Sequence, residues 1–150
     1  MALGCCLASC TMGYQSKWEK AAASAKTKRP AGLSGAWEGR WTNGATETAT
    51  SGHSGMLWAI ATPETPADGK TEATKYHFKY KATWGKAFSG VFEMDHETEG
   101  KDATGRYVLG GEKDLGIFGV FRFSGYATPS MMHVVYQSKM NSGVFELKRP

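Results

Sequence analysis

Four histidines, His53, His77, His96 and His133, are the side chains best placed by type for acid–base or metal chemistry near neutral pH. No two of them stand two or four residues apart, so neither a strand nor a helix presents a ready pair of metal ligands. His77 falls among Lys75, Lys79 and Lys81 and reads as a solvated residue. His96 alternates inward, beside Asp95, Glu97 and Glu99, an acidic run with the composition of a hydrophilic hairpin tip. Glu112, Lys113 and Asp114 follow Gly110-Gly111 and read as a loop, where two carboxylates could divide acid and base roles or simply line a polar rim. There is no Gly-x-Ser-x-Gly and no glycine loop of the phosphate-cradling kind. No catalytic residue, metal ligand or cofactor site is therefore assigned.

Cysteine is the remaining nucleophile. Cys5, Cys6 and Cys10 lie in the first ten residues and the other 140 contain none, which excludes a disulfide framework, a cysteine metal cluster and a Cys-His nucleophile from the rest of the chain. Residues 1–10 are small, apolar and uncharged. Within them Leu7-Ala8-Ser9-Cys10 resembles the lipobox of bacterial lipoproteins, in which small residues admit a peptidase and the cysteine thiol takes the lipid. The resemblance implies that Cys10 becomes the acylated N-terminus, that Cys5 and Cys6 are discarded, and that the protein is held at the periplasmic face of the cell envelope. The segment departs from that pattern in lacking a basic n-region and in the shortness of its apolar stretch, and a start site placed too late accounts for both. No run of about 18 apolar residues occurs, so the expectation is anchoring by lipid and not a spanning helix.

The elements that must position these groups follow from periodicity. Tyr14, Trp18, Ala21, Ala22 and Ala25 recur at helical spacing, predicting a helix from about Tyr14 to Lys26 that Pro30 and Gly32 terminate. Trp18 reads as its packing anchor, and Lys26, Lys28 and Arg29 as a solvated tether. With a net charge of +4 from 18 basic and 14 acidic side chains, spread along the chain, nucleic acid is not an expected partner. From Leu33 the period changes to two. The runs are Trp37–Trp41, Met56–Ile60, Tyr76–Ala82, Phe88–Glu97, Thr104–Leu109, Ile117–Tyr126, Met131–Ser138 and Val144–Lys148, with turn residues such as Gly110-Gly111, Pro129 and Asn141-Ser142-Gly143 between them. A three-residue loop at Gly85-Lys86-Ala87 would oppose Lys79 to Glu93, His77 to Asp95 and Lys75 to Glu97, while Tyr80 meets Phe92 and Phe78 meets Met94; both faces agree on one register.

Eight strands in sequence order need their edges closed. The expected fold is mainly β: an antiparallel up-and-down barrel of about eight strands spanning residues 33–150, preceded by a signal-type segment at 1–10 and a short helix with linker at 11–32. Gly90, Gly105, Gly119 and Gly125 are expected sites of bulging or sharp coiling. Gly35-Ala36-Trp37, opening the first strand after a helix, resembles the Gly-x-Trp signature of lipocalins and their calycin and avidin-like relatives. That resemblance makes Arg122 the candidate for the late-strand arginine packed over the tryptophan.

Trp58, Tyr76, Phe78, Tyr80, Trp84, Phe88 and Phe92 form the expected inward aromatic group, which either fills such a barrel or lines a site for one small apolar ligand. The tentative ligand-binding set is Trp58, Tyr76, Phe78, Tyr80, Trp84 and Phe92. Around Phe118, Val120, Met131 and Val135 both strand faces are apolar, leaving an outer stripe for the Trp18 helix, a protein partner or a second copy to cover. The expected function is a non-catalytic envelope lipoprotein that binds a small apolar ligand or serves as an interaction module. The alternatives are an enzyme using Glu112 or His96 as base, and a purely structural envelope protein.

Overall fold

Side chains that alternate between apolar and polar along each segment after Leu33 commit the chain to strands with one face inward. The computed structural model describes residues 6–44, 54–66, 73–84, 88–114, 116, 119–139 and 142–150, with 6–12, 84, 88 and 99 described by backbone alone. A helix, α1 (Cys6–Thr27), precedes eight strands: β1 (Gly35–Asn43), β2 (Ser54–Pro63), β3 (Lys75–Trp84), β4 (Phe88–Lys101), β5 (Tyr107–Asp114), β6 (Val120–Ala127), β7 (Met131–Gln137) and β8 (Ser142–Lys148). Every neighbour pair is antiparallel, and β1 also pairs β8 from Glu38↔Lys148 to Asn43↔Gly143, closing the barrel.

The β3–β4 pairing follows the register demanded by its two faces. Lys75, His77 and Lys79 oppose Glu97, Asp95 and Glu93, and Phe78 and Tyr80 oppose Met94 and Phe92. The connecting residues 85–87 lie outside the described set. On the outer face, His77 Nδ1 stands 2.7 Å from Asp95 and Lys79 Nζ 3.0 Å from Glu93. Hydrogen bonds from Lys79 and His77 hold Glu93 and Asp95, respectively, below the usual carboxylate range. These groups are substantially exposed, so each pair adds at most about 1 kcal/mol, and their service is to penalise a one-residue slip.

Several expectations change. The acidic run is not a hairpin tip: Asp95 and Glu97 lie in the middle of β4, which continues to Lys101. Gly110-Gly111 is not a turn either, because both residues sit inside β5 opposite Ser124 and Phe123. A Cβ on Gly111 would lie 2.6 Å from the Asp95 carbonyl of β4, so glycine serves close strand approach there. Glu112, Lys113 and Asp114 consequently continue the strand instead of forming a loop. Gly105 and Gly119 fall in turns outside the strands, whereas Gly125 sits in β6 with its Cα facing the His133 carbonyl.

The helix begins at Cys6, about two turns before the expected start, since Leu7, Ala8 and Met12 favour helix and no proline interrupts. Tyr14, Trp18 and Ala22 are buried against Ala36, Trp58, Ile60 and Val91 on the outside of the barrel. The Trp18 indole N–H donates to the Trp37 carbonyl at 2.9 Å, and the Tyr14 hydroxyl donates to the Lys79 carbonyl at 3.0 Å. This placement leaves the β6–β7 stripe bare, with Val120, Tyr126, Met131 and Val135 exposed. The segment after Lys26 is also no loose tether: Lys28 N–H still donates to Ser24, and Arg149 grips the carbonyls of Gly32 and Ser34.

Candidate ligand site in the barrel

One end of the barrel is plugged. Leu33 and Trp37 are fully buried there, the Trp37 indole N–H donating to the Leu33 carbonyl at 2.9 Å. The Arg149 guanidinium lies 3.9 Å from the Trp37 ring centroid and donates to the carbonyls of Ser34, Ala36, Gly32 and Pro129. Burial lowers its pKa to about 10, with Arg29 adding to the depression. The arginine over the tryptophan is thus Arg149. Arg122 instead sits exposed on the outer face, paired with Glu112 at 3.1 Å; its even position in β6 points away from the inward Phe121 and Phe123.

Above the plug lies a filled aromatic middle. Tyr76, Phe78 and Tyr80 are all buried inside, as their alternation requires. His96, buried on β4, places Nε2 2.8 Å from the Tyr80 hydroxyl and packs edge-on against Phe78, Tyr80 and Phe123. Desolvation lowers the imidazole pKa to about 4, opposed by Asp95, and raises that of the Tyr80 phenol, with a further push from Tyr14. Both groups are neutral at pH 7. A phenol has one proton to give, and donation to Nε2 satisfies it, which leaves the proton of the ring on Nδ1. Nδ1 is buried and has no hydrogen-bond partner among the described residues. Such an orphan donor costs about 1–3 kcal/mol.

Toward the far end the core thins. Phe92 stacks on Tyr80 with centroids 5.1 Å apart, and Phe121 stacks on Phe123 at 6.3 Å, yet Phe92 and Phe121 are only partly buried. Tyr136 and Phe145 lie between them, 4.9 Å apart, and Trp41 and Tyr136 donate to the carbonyls of Thr83 and Thr42. Two glycines make room for these rings: a Cβ on Gly55 would meet the Trp41 indole, and one on Gly143 the Tyr136 phenol. The result is an apolar cluster at this end of the barrel, which we call the mouth; the segments connecting the strands there, 45–53, 85–87, 115, 117–118 and 140–141, lie outside the described residues.

Of the expected ligand set, Tyr76, Phe78, Tyr80 and Phe92 are brought together inside. Trp58 is not: pairing of Ala59 with Tyr80 and Ala61 with Phe78 turns the small residues of β2 inward, and Trp58 faces out to seat α1, with the Lys81 ammonium 5.5 Å above its ring. The interior is already crowded by Trp37, Phe78 and Tyr80, so the large face of β2 has no room inside. The side chains of Trp84 and Phe88, and that of Cys10, whose backbone lies in α1, are outside the described residues, as is all of His53. Phe121, Phe123, Tyr136, Phe145 and Arg149 were not singled out for the site from sequence, although alternation along Gly143-Phe145-Leu147 marks the inward face of β8.

Surface clefts lie beside the barrel among the described residues. One of about 650 Å³ lies between the linker and the strand ends at Tyr76 and Tyr107, and one of about 550 Å³ lies beside Val120, Arg122 and Gln137. Among the described residues no three histidine, cysteine or carboxylate side chains gather into a metal-binding group. No helix among them is long and apolar enough to cross a membrane. No protein-family model matches the chain, and no curated protein or solved structure matches it. The architecture, an eight-stranded closed antiparallel barrel with one N-terminal helix, is compatible with a lipocalin-like fold.

Proposed function

We propose that this protein is a non-catalytic, lipid-anchored envelope protein whose barrel mouth binds one small apolar ligand. The observation that carries the reading is the burial gradient along the barrel. Inward side chains are fully enclosed from Trp37 to Tyr80, while Phe92 and Phe121 present partly exposed ring faces above Tyr136 and Phe145. Large apolar rings left partly solvated and stacked on the core suit the lining of a ligand pocket more than a finished core. The anchor is assigned to Cys10 on its Leu7-Ala8-Ser9-Cys10 setting.

Glu112 lends no support to acid–base catalysis, since it lies on the outer wall in a solvated pair with Arg122. The test is native mass spectrometry of the full chain purified gently from its membrane. A small-molecule mass that leaves on denaturation, and that Phe121→Arg abolishes while the barrel stays folded, is the expected result. A bare mass at every concentration would sink the binding reading.

A further inference from the structure

We infer that the outer face of β5–β8 is a self-association surface, on which a second copy of this chain packs about a two-fold axis. α1 covers a different part of the wall, against Trp58, Ile60 and Val91, and leaves this face exposed. The strand registers make it one continuous patch. Val108 pairs Tyr126 and Tyr126 pairs His133; one step toward the mouth, Gly110 pairs Ser124 and Ser124 pairs Val135. Val108, Tyr126 and Val135 are exposed, and Met131, at the plug end of β7, is 60% exposed. These are strand residues, so the patch does not depend on the connecting segments.

The distribution of charge identifies the occupant. Along β5 the outer face runs from Arg106, which lies 4.8 Å from the Tyr126 ring centroid, to Glu112, six residues nearer the mouth. Along β7 it runs from Met131 to Gln137, again six residues apart, and Gln137 lines the cleft beside Val120 and Arg122. The midpoints of these intervals are Leu109 and Val134, and the ladder aligns both with Gly125. A single two-fold axis along the row Leu109–Gly125–Val134 therefore sets Arg106 of each copy over Glu112 of the other. It also sets Met131 of each copy over the other's cleft at Gln137. The roughly 30° between strand directions in packed sheets displaces these partners by about 5 Å, within reach of their long side chains. Arg106 bonds Asp102 through Nε and Glu112 takes Arg122 on Oε2. The contact across the axis thus falls to the terminal guanidinium nitrogens and to Glu112 Oε1.

The same axis lowers Tyr126 onto Ser124 and Val108 onto Gly110, small residues that leave room for them. No like charges meet: Thr128 comes over Arg122 and Lys148 over Ser142, and Glu146 comes over Val144 at the rim, which is wet in such interfaces. A two-fold axis running along the strands through the centre of the face would instead set Arg106 against Lys148. About 20 Å of strand length across four strands about 4.8 Å apart gives roughly 400 Å² of projected face per copy. That is the small end of specific interfaces and sets association in the micromolar range.

The test is sedimentation equilibrium of the full chain from about 5 to about 500 μM, a range that brackets such an affinity. A monomer of 16.3 kDa giving way to a species of twice that mass is expected. Met131→Glu changes a solvent-facing side chain and is expected to hold the chain monomeric throughout. Arg106→Glu and Glu112→Arg each oppose like charges twice across the axis and are expected to weaken the dimer at least about tenfold. The double variant restores opposite charges and is expected to return to within about threefold of the wild type. Near-ultraviolet circular dichroism matching the wild type shows that each variant keeps its barrel. A monomer at every concentration overturns the inference and gives the face to another occupant. So does a dimer that survives Met131→Glu, an assembly larger than two, or a double variant no tighter than the single ones.

Discussion

His96→Gln isolates the imidazole enclosed beside the Tyr80 phenol in the aromatic middle of the barrel. Burial against Phe78, Tyr80 and Phe123 holds the imidazole at a pKa of about 4, and Asp95 offsets this only in part. In the unfolded chain the ring returns to about 6.5. Because the folded value is depressed, the unfolded state takes up the proton first as pH falls. The stabilisation is complete above about pH 6.5 and is lost on the way down to about pH 4. The two values correspond to a loss of about 2 kcal/mol by pH 5 and about 3 kcal/mol by pH 4. Glu93 and Asp95 are held low by Lys79 and His77, but carboxylates with depressed pKa lose their contribution only as pH falls below about 4.5. The interval between about pH 6.5 and 5 thus belongs to histidine. The substituted amide keeps a carbonyl for the Tyr80 hydroxyl and does not titrate, while the outer histidines are common to both proteins. Urea unfolding followed by tryptophan fluorescence at about pH 7, 6 and 5 should show the wild type losing about 2 kcal/mol more than the variant. Parallel pH profiles, or a His96 ring signal titrating near pH 6.5 in the folded protein, would refute the burial argument.

Arg149→Ala removes a guanidinium stacked 3.9 Å over Trp37 together with its bonds to four carbonyls; the expected cost is about 3 kcal/mol, a fall of about 6–12 °C in Tm. Arg149→Lys keeps the charge but not the fork, so it should restore only part of this, and a loss below about 1 kcal/mol for alanine would contradict the plug. Gly143→Ala drives a Cβ into the Thr42 carbonyl and the Tyr136 hydroxyl, where backbone must yield; about 3 kcal/mol should be lost in urea, and a neutral result would mean the strands are not this close. Trp18→Ala deletes the buried anchor of α1 at a local cost of about 3–5 kcal/mol, so helix amides from 14 to 27 should exchange fast while barrel amides hold. Equal loss of protection in the barrel would show that helix and barrel unfold as one unit.

Much of this molecule is written in nearest-neighbour chemistry. The β3–β4 register was legible because charge pairs on one face and aromatic pairs on the other require the same alignment, and a slip by one residue defeats both. The strand number and the inward placement of Tyr76, Phe78, Tyr80 and Phe92 follow from period-two alternation, a local property. Strands that are apolar on one face and small on the other carry no such label. In β2, Trp58 and Ile60 look like core, and only the crowding of the barrel by Trp37 and the β3 aromatics turns them outward beneath α1. The choice of Arg149 over Arg122 was equally beyond local pattern, since it depends on closure bringing the chain end across to β1, a separation of more than one hundred residues. Gly110-Gly111 reads as a turn from composition and becomes strand because a neighbouring carbonyl needs the space of a missing Cβ. The sequence by itself determined the period, the hairpin register and the class of fold. Only the tertiary structure decided which large side chains are enclosed, because interior volume is shared among strands distant in sequence and its allotment is a property of the closed barrel.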